Sequence, residues 1–217
     1  MSLPDSNPDW PLFALRLTSG DLELRPLCEI DLSAVAAVLP DDSEHDPRSP
    51  LWDHLDPAAN RRRLLYQNYW RDVATWSPEN WHLTLHVSDP GGFVGIQALE
   101  AENFAQLRTV DSFSWVVPSS RGRGVGRAMR TAVLSLAFDH LGAQFAVTSA
   151  RENNVSSLAV SRRLGYVDNG VSRTLSPSGP ATLHHLRLNR DQWRGTGASS
   201  TVGVTGLENC RHFFLAP

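Results

Sequence analysis

Three glycines and three arginines crowd residues 119–129, Ser-Ser-Arg-Gly-Arg-Gly-Val-Gly-Arg-Ala-Met, directly after the apolar run from Phe113 to Val117. A strand that stops at Val117-Pro118 and a helix that starts near Gly124 leave the amides between them without a partner in either element. Glycine lets an anion come close to such amides, and the positive end of the helix dipole adds to the attraction. Two common phosphate loops do not fit. A Walker loop needs Gly-Lys-Ser/Thr, whereas Gly126 is followed by Arg127 and Ala128; a G-x-G-x-x-G run opened at Gly122 or Gly124 arrives at Arg127 or Met129. Spacing alone therefore leaves two readings open, a diphosphate cradle of another kind and plain turn chemistry.

The elements on either side narrow the fold. Phe13 to Leu17 and Leu22 to Pro26 alternate around Ser19-Gly20 as a hairpin, and Glu29 to Leu39 has helical spacing. A Pro- and Asp-rich loop from Pro40 to Pro57 leads to a helix from Asn60 to Trp76. Strands follow at Trp81 to Val87, Phe93 to Leu99 and Thr109 to Val117, a meander whose short links make it antiparallel. The period then changes: helix Gly124 to Leu141, strand Phe145 to Ser149, helix Asn154 to Leu164, and a terminal hairpin from Gly170 to Leu188. Strand, helix, strand and helix with short links imply one parallel crossover attached to the meander, an α+β arrangement. We expect one domain over 1–193, followed over 194–217 by a linker and an apolar tail able to dock or to pair with a partner.

Charge is divided along the chain. All 20 basic residues are Arg; residues 1–117 hold 18 acidic residues against 8 Arg, and residues 118–217 hold 5 against 12. Such a split suits two ligand regions of opposite sign, or two solvated faces. Cys28 and Cys210 are too few for a disulfide framework or metal pattern, and the apolar runs are too short for a membrane span. A soluble, cytoplasmic protein with reduced thiols, bound to neither nucleic acid nor membrane, is expected. His82 and His86 on one strand, and His184 and His185 on opposite faces of another, build no metal site by themselves.

Val116-Val117-Pro118-Ser119-Ser120-Arg121-Gly122-Arg123-Gly124-Val125-Gly126 resembles the acyl-CoA signature of the GNAT acetyltransferase superfamily, Gln/Arg-x-x-Gly-x-Gly/Ala, with Arg121, Gly124 and Gly126 at its three defining positions. Asn154-x-x-Ser157-x-x-Val160-x-x-Arg163-Leu164-Gly165-Tyr166 is similar to the later helix of that family and its Gly-aromatic ending. The opening "LRLTSGDLELRPL" and the ending "SRRLGY" resemble the RimJ/RimL branch, which modifies protein α-amino groups and small amines.

This resemblance implies the GNAT fold, a mostly antiparallel central sheet with one parallel, splayed strand pair flanked by helices. It implies an N-acyltransferase that moves an acyl group, acetyl in the first place, from acyl-CoA directly to a primary amine of a small molecule or a protein N-terminus. The CoA site would comprise Trp115, Val116, Val117, Arg121, Gly122, Arg123, Gly124, Val125, Gly126 and Arg127, with Asn154 and Ser157 near the same arm. Many members carry a Tyr proton donor four residues before the Gly of the Gly-aromatic pair. Ser161 stands there, as is frequent in the RimJ/RimL branch, and becomes the candidate acid. Asp111 sits where relatives often carry a Glu base, with Glu100 and Glu102 as rivals. Trp52 and His54 are the candidate acceptor-pocket residues, and most of the other aromatics between Tyr66 and Trp81 are expected in the core. No metal is implied. The apolar tail, needing cover, suggests a homodimer. The absent Tyr keeps a second reading in view, a CoA-binding sensor or assembly module without turnover.

Overall fold

The computed structural model describes residues 7–43, 49–176 and 179–214, with the side chains of 199 and 200 left aside. Alternation in the N-terminal segment begins later than the sequence suggests. Pro11–Ala14 forms a single 3-10 turn, and pairing starts with β1 (Arg16–Ser19) and β2 (Leu22–Pro26), with Ser19 opposite Leu22 across a two-residue turn. The predicted helix after β2 divides into a 3-10 turn, Glu29–Asp31, and a short α1 (Leu32–Ala37). Helix α2 (Pro57–Ala74) starts three residues before the expected point. Asp56 caps it by accepting from the Ala59 amide at 2.7 Å, and Pro57 takes the first helical position, where its missing N–H is no loss.

The meander follows as β3 (Trp81–Asp89), β4 (Gly92–Ala101) and β5 (Thr109–Val116), with a one-turn α3 (Phe104–Leu107) before β5. Next come α4 (Val125–Ser135), which ends in a π-turn over Leu136–His140, β6 (Phe145–Arg151) and α5 (Val155–Arg163). The hairpin of β7 (Val167–Ser176) and β8 (Gly179–Asn189) is longer than its apolar pattern announces, and its tip at 177–178 lies outside the described residues.

All nine strands form one sheet in the order β7-β8-β6-β5-β4-β3-β2-β1-β9, with β9 at Val202–Thr205. Only β5 and β6 run parallel, and they pair over just three positions, Thr109 with Phe145, Val110 with Ala146 and Asp111 with Val147. Beyond Asp111 and Val147 the two strands part.

Side-chain alternation gives the sheet two unlike faces. One carries Trp81, Leu83, Leu85, Val87, Leu99 and Val110 against Met129, Ala132, Val133 and Leu136 of the α4 segment, the main core. Each such side chain taken fully from water stabilises the fold by about 1.5–3 kcal/mol. The other face is covered more thinly, by Leu27, Leu32, Val35 and Ile96 with Leu65, Tyr66 and Tyr69 of the α1–α2 layer. Of the aromatics expected in the core, Trp81 is buried, Tyr66, Tyr69 and Trp76 are partly buried, and Trp70 is exposed.

Residues 194–214 attach to the domain. The segment read as linker begins inside α6 (Arg190–Gly195), capped by the reciprocal Asn189–Gln192 pair and anchored by the fully buried Trp193. Strand β9 then pairs with β1, Leu17 opposite Val204, and α7 (Leu207–Cys210) follows. Gly206 admits no side chain: its φ is 76°, and a Cβ there would overlap the Ala14 carbonyl. Phe214 is fully buried against Trp76 and Trp81, and Trp76 Nε1 donates to the Phe213 carbonyl at 3.1 Å. The tail thus docks on its own chain, which supplies the cover that suggested a dimer.

Candidate functional site

The arginine-glycine loop joins β5 to α4. Gly122 and Gly124 have φ values of 76° and 83°, left-handed conformations that strain any other residue. Turn bonds engage the amides of Ser120 and Arg121 before the bend, and those of Arg127 and Ala128 after it. None of the five amides from 122 to 126 donates to a described acceptor. A row of free N–H groups at the N-terminus of an eleven-residue helix is an anion cradle, and a diphosphate fits it. The loop's cations are partly engaged. Arg121 grips Asp42 bidentately at 2.7 Å on both arms and donates from Nε to the Val116 carbonyl at 3.0 Å; Arg123 lies 3.6 Å from Asp89. Arg127 is exposed. A cavity of about 720 Å³ opens on the flank of the loop that faces the β1–β2 and β3–β4 turns, where Asp21 and Asp89 line it. It does not reach the gap between β5 and β6, so the free amides locate an anion better than its volume does.

From the loop, the gap runs inward to Asp111. The Ser112 carbonyl, past the last backbone pair with β6, accepts from the β6 side chain of Thr148 through Oγ1 at 3.2 Å, and the Val116 carbonyl accepts from Arg121. By the two-residue alternation, Ser114 also turns its amide and carbonyl toward the gap. A chain carrying amides can lie along this edge as an extra strand. Trp115, packed on Phe93 at 5.7 Å, and the partly buried Val116 stand at the loop end of this edge, with Val117 buried behind them. Asn154 caps α5 by accepting from the Ser157 amide at 3.2 Å, so its side-chain oxygen is engaged within its own helix.

At the apex, the α2 side of the sheet carries an acidic row in register: His82 on β3, Glu100 on β4 and Asp111 on β5. His82 Nδ1 lies 3.0 Å from Glu100 and 3.5 Å from the buried Asp72 of α2. Asp111 accepts from the Ser112 amide at 2.6 Å. Burial, and then the charge of Glu100 across the strand pair, push its carboxyl up to about 6.

On the α4 side of the same apex lies a polar layer that sequence reasoning missed. Arg130, 4% exposed, reaches Thr148 Oγ1 at 3.4 Å and Ser114 Oγ at 3.5 Å, both neutral and both long, while its Nε has no partner. The Tyr166 hydroxyl lies against Ser112 and Arg130; it and Ser112 Oγ are also buried without a well-formed hydrogen bond. Gln97 Oε1, opposite Ser114 on β4, is likewise unpaired. A helix arginine between apolar Met129 and Ala132 breaks the expected pattern, which is the one signal the sequence offered.

The other predicted residues fall elsewhere. Ser161 is 1% exposed and donates to the Ser157 carbonyl at 3.1 Å, one turn back along α5. Trp52 stacks on His54 with Arg63 over its ring at 4.2 Å, and Asn60 holds its backbone at 3.0 Å. Asn60 and Asp72 lie about 18 Å apart along α2 at 1.5 Å per residue, so Trp52 and His54 border the loop end of the cleft and not its acidic apex. Glu102 is exposed beyond the end of β4. Among the described residues, no group of three or more His, Cys, Asp or Glu is placed to hold a metal ion, and no helix is long and apolar enough to cross a membrane.

Comparisons with known proteins agree with this geometry. The chain is similar in fold to Mycobacterium smegmatis RimJ in complex with CoA-disulfide, with a TM-score of 0.64 at 18% identity over 87% of this chain and 93% of that one. It is also similar to spermidine N-acetyltransferase from Vibrio cholerae in complex with CoA and spermine, with a TM-score of 0.63 at 14% identity over 80% of this chain and 98% of that one. A family model for the acetyltransferase (GNAT) domain matches residues 21–167, from the β1–β2 turn through the splayed pair to the start of β7, well over half of the sequence. By that match the chain belongs to the GNAT acetyltransferase family.

Proposed function

We propose that this protein transfers an acyl group, acetyl in the first place, from acyl-CoA to a primary amine that reaches the α2 side of the sheet as an ammonium ion. The observation that carries the reading is the parting of β5 from β6 at Asp111, which opens a strand edge in line with the anion cradle and a partly buried carboxylate. Amides 122–126 would hold the diphosphate, and the edge from Ser112 to Val116 the amide-bearing arm. Bound there, acyl-CoA supplies an activated thioester carbonyl. Glu100, half exposed and beside His82, faces the cleft and attracts the ammonium. Asp111, with a carboxyl near 6, takes the ammonium proton at neutral pH and leaves the free amine to attack. The two carboxylates divide the work through their surroundings.

A solved structure of similar fold, a spermidine N-acetyltransferase holding spermine, supports an amine acceptor. The decisive experiment follows thiol release from acetyl-CoA with polyamines, simple amines and peptides of free N-terminus, with CoA saturating, at rising ionic strength. A cationic acceptor should lose rate severalfold as salt screens its approach, and a neutral analogue much less. Tight CoA binding with no thiol release from any acceptor would instead establish the non-catalytic sensor.

A further inference from the structure

The polar layer on the α4 side of the apex has no role in the reading above. Arg130 on α4, Tyr166 in the link between α5 and β7, and Ser112 on β5 are 4%, 4% and 5% exposed. Their Nε, hydroxyl and Oγ atoms make no well-formed hydrogen bond, and the Tyr166 hydroxyl lies against the other two residues. No carboxylate oxygen among the described residues lies within ion-pair distance of the Arg130 guanidinium; its partners are the hydroxyls of Thr148 and Ser114 at 3.4 and 3.5 Å. A guanidinium cannot give up its charge, and burying it against neutral groups alone is unfavourable. Hydroxyls rotate, so Tyr166 and Ser112 can both donate. The layer is a preformed set of donors around a cation, which suits an anion formed in the complex.

The stereochemistry of the sheet says which anion. Asp111 points to the α2 side, so a nucleophile deprotonated there meets a thioester lying in the gap from that side. Addition from that side makes the carbonyl carbon tetrahedral and bends its sulfur toward the opposite side, where Arg130, Tyr166 and Ser112 stand, before the carbon–sulfur bond breaks. We propose that these three residues form a thiolate site that receives the sulfur of CoA as the thioester is cleaved. The proposal rests on the acyl-CoA reading above.

As the amine nitrogen bonds to the carbonyl carbon and the carbon–sulfur bond breaks, the electron pair passes to sulfur. Arg130 and Tyr166 donate hydrogen bonds to it without surrendering their protons. Asp111, having passed the ammonium proton on to solvent, takes the remaining N–H proton, and the thiolate takes a proton from solvent on release. Burial pushes the Tyr166 hydroxyl up to about 12, so it remains a donor wherever the enzyme works. The hydroxyl of Ser161, donating to Ser157, is not needed as an acid.

The test uses free CoA and no acceptor. Calorimetry at acid pH, where the thiol is neutral, gives the affinity; the ultraviolet absorbance of the thiolate, followed against pH, then titrates the bound sulfur. In the wild-type protein the bound thiol should ionise at least about one pH unit below free CoA, a tenfold preference for the anion. Arg130→Met should abolish most of that shift and Tyr166→Phe part of it. Arg130→Lys should retain more than Arg130→Met, and acid-pH affinity should stay within about threefold throughout. A bound thiol that ionises like free CoA, or the same shift in all four proteins, overturns the proposal. If instead the thiol is unshifted and Arg130→Met impairs only donors whose acyl group ends in a carboxylate, the layer reads the acyl end and the thiolate assignment falls. CoA that fails to bind removes the donor reading, and the thiolate site with it.

Discussion

The two sides of the sheet at the β5–β6 apex carry opposite chemistry within one strand's thickness. Asp72, Glu100 and Asp111 stand on the α2 side, and Arg130 with its hydroxyls on the α4 side. Successive residues of β5 supply both, Asp111 to one side and Ser112 to the other, because strand side chains alternate. A reaction that must take a proton from one partner and accommodate negative charge on another gains from this separation, although the Arg130 charge partly offsets the rise that burial and Glu100 impose on Asp111. Two ion pairs tie the acidic half of the chain to the anion loop, the bidentate Asp42–Arg121 strap and the longer Asp89–Arg123 contact.

The sharpest way to break this comparison is Asp111→Asn. Under the proposed role the rate should fall by about 10²–10⁴-fold, as for loss of a general base. The wild-type rate should also decline as pH drops through about 6 and the carboxyl becomes protonated. Stability should move the other way. Because the folded-state value of about 6 lies above the ordinary 3.8, the native protein binds this proton more tightly than the unfolded chain. Asp111 therefore lowers stability progressively from about pH 4 to about pH 6 and by a constant amount above that. Asn removes a penalty of up to about 3 kcal/mol, two units at 1.36 each, so the variant should melt higher at pH 8 and gain little at pH 4. A variant as active as wild type would take the base away from the α2 side.

Gly124→Val tests the loop. At φ 83° a branched residue is strained by about 1–2 kcal/mol, and relaxing that strain rotates amides out of the cradle. CoA affinity should fall about tenfold or more, measured by calorimetry on variant protein shown to be folded. Space is not the obstacle, since a Cβ built at Gly124 meets no atom within 4 Å; the backbone conformation is.

The smallest effect should come from Asp42→Asn, which cuts the strap. Arg121 holds the Asp42 carboxyl below its ordinary range, yet both side chains are substantially exposed. Freeing Arg121 for a phosphate should tighten CoA by no more than about fivefold, and high salt should erase the gain. Weaker binding in this variant would mean that Asp42 holds the loop in its binding shape and does not compete with the phosphate.

Much of this architecture could be read along the chain. The three-glycine loop after an apolar run announced the strand-to-helix junction, and the change of period after Val117 announced a parallel crossover on an antiparallel meander. Asp111 could be singled out by its place on the strand that leads into the loop. Helix α2 showed why boundaries are harder: its start depends on the Asp56-Pro57 cap, a local signal hidden in a run of prolines and aspartates. Ser161 is matched by its position before the Gly-aromatic pair, and its hydroxyl donates to the Ser157 carbonyl, a contact set by how the helix is seated and not by that position.

What the sequence determined by itself is what depends on neighbours along the chain: period, turn chemistry, free amides at a helix start, and the segregation of acidic and basic halves. Only the tertiary structure decided that Arg130 is buried beneath the gap with neutral partners, that Glu100 faces Asp111 in register, and that residues 202–214 close the sheet edge and core beside β1. Each depends on contacts between residues far apart in the chain. Burial, desolvation and pairing across strands are set by which distant segments meet; the local pattern marks Arg130 as out of place and the tail as apolar, but does not say what either packs against.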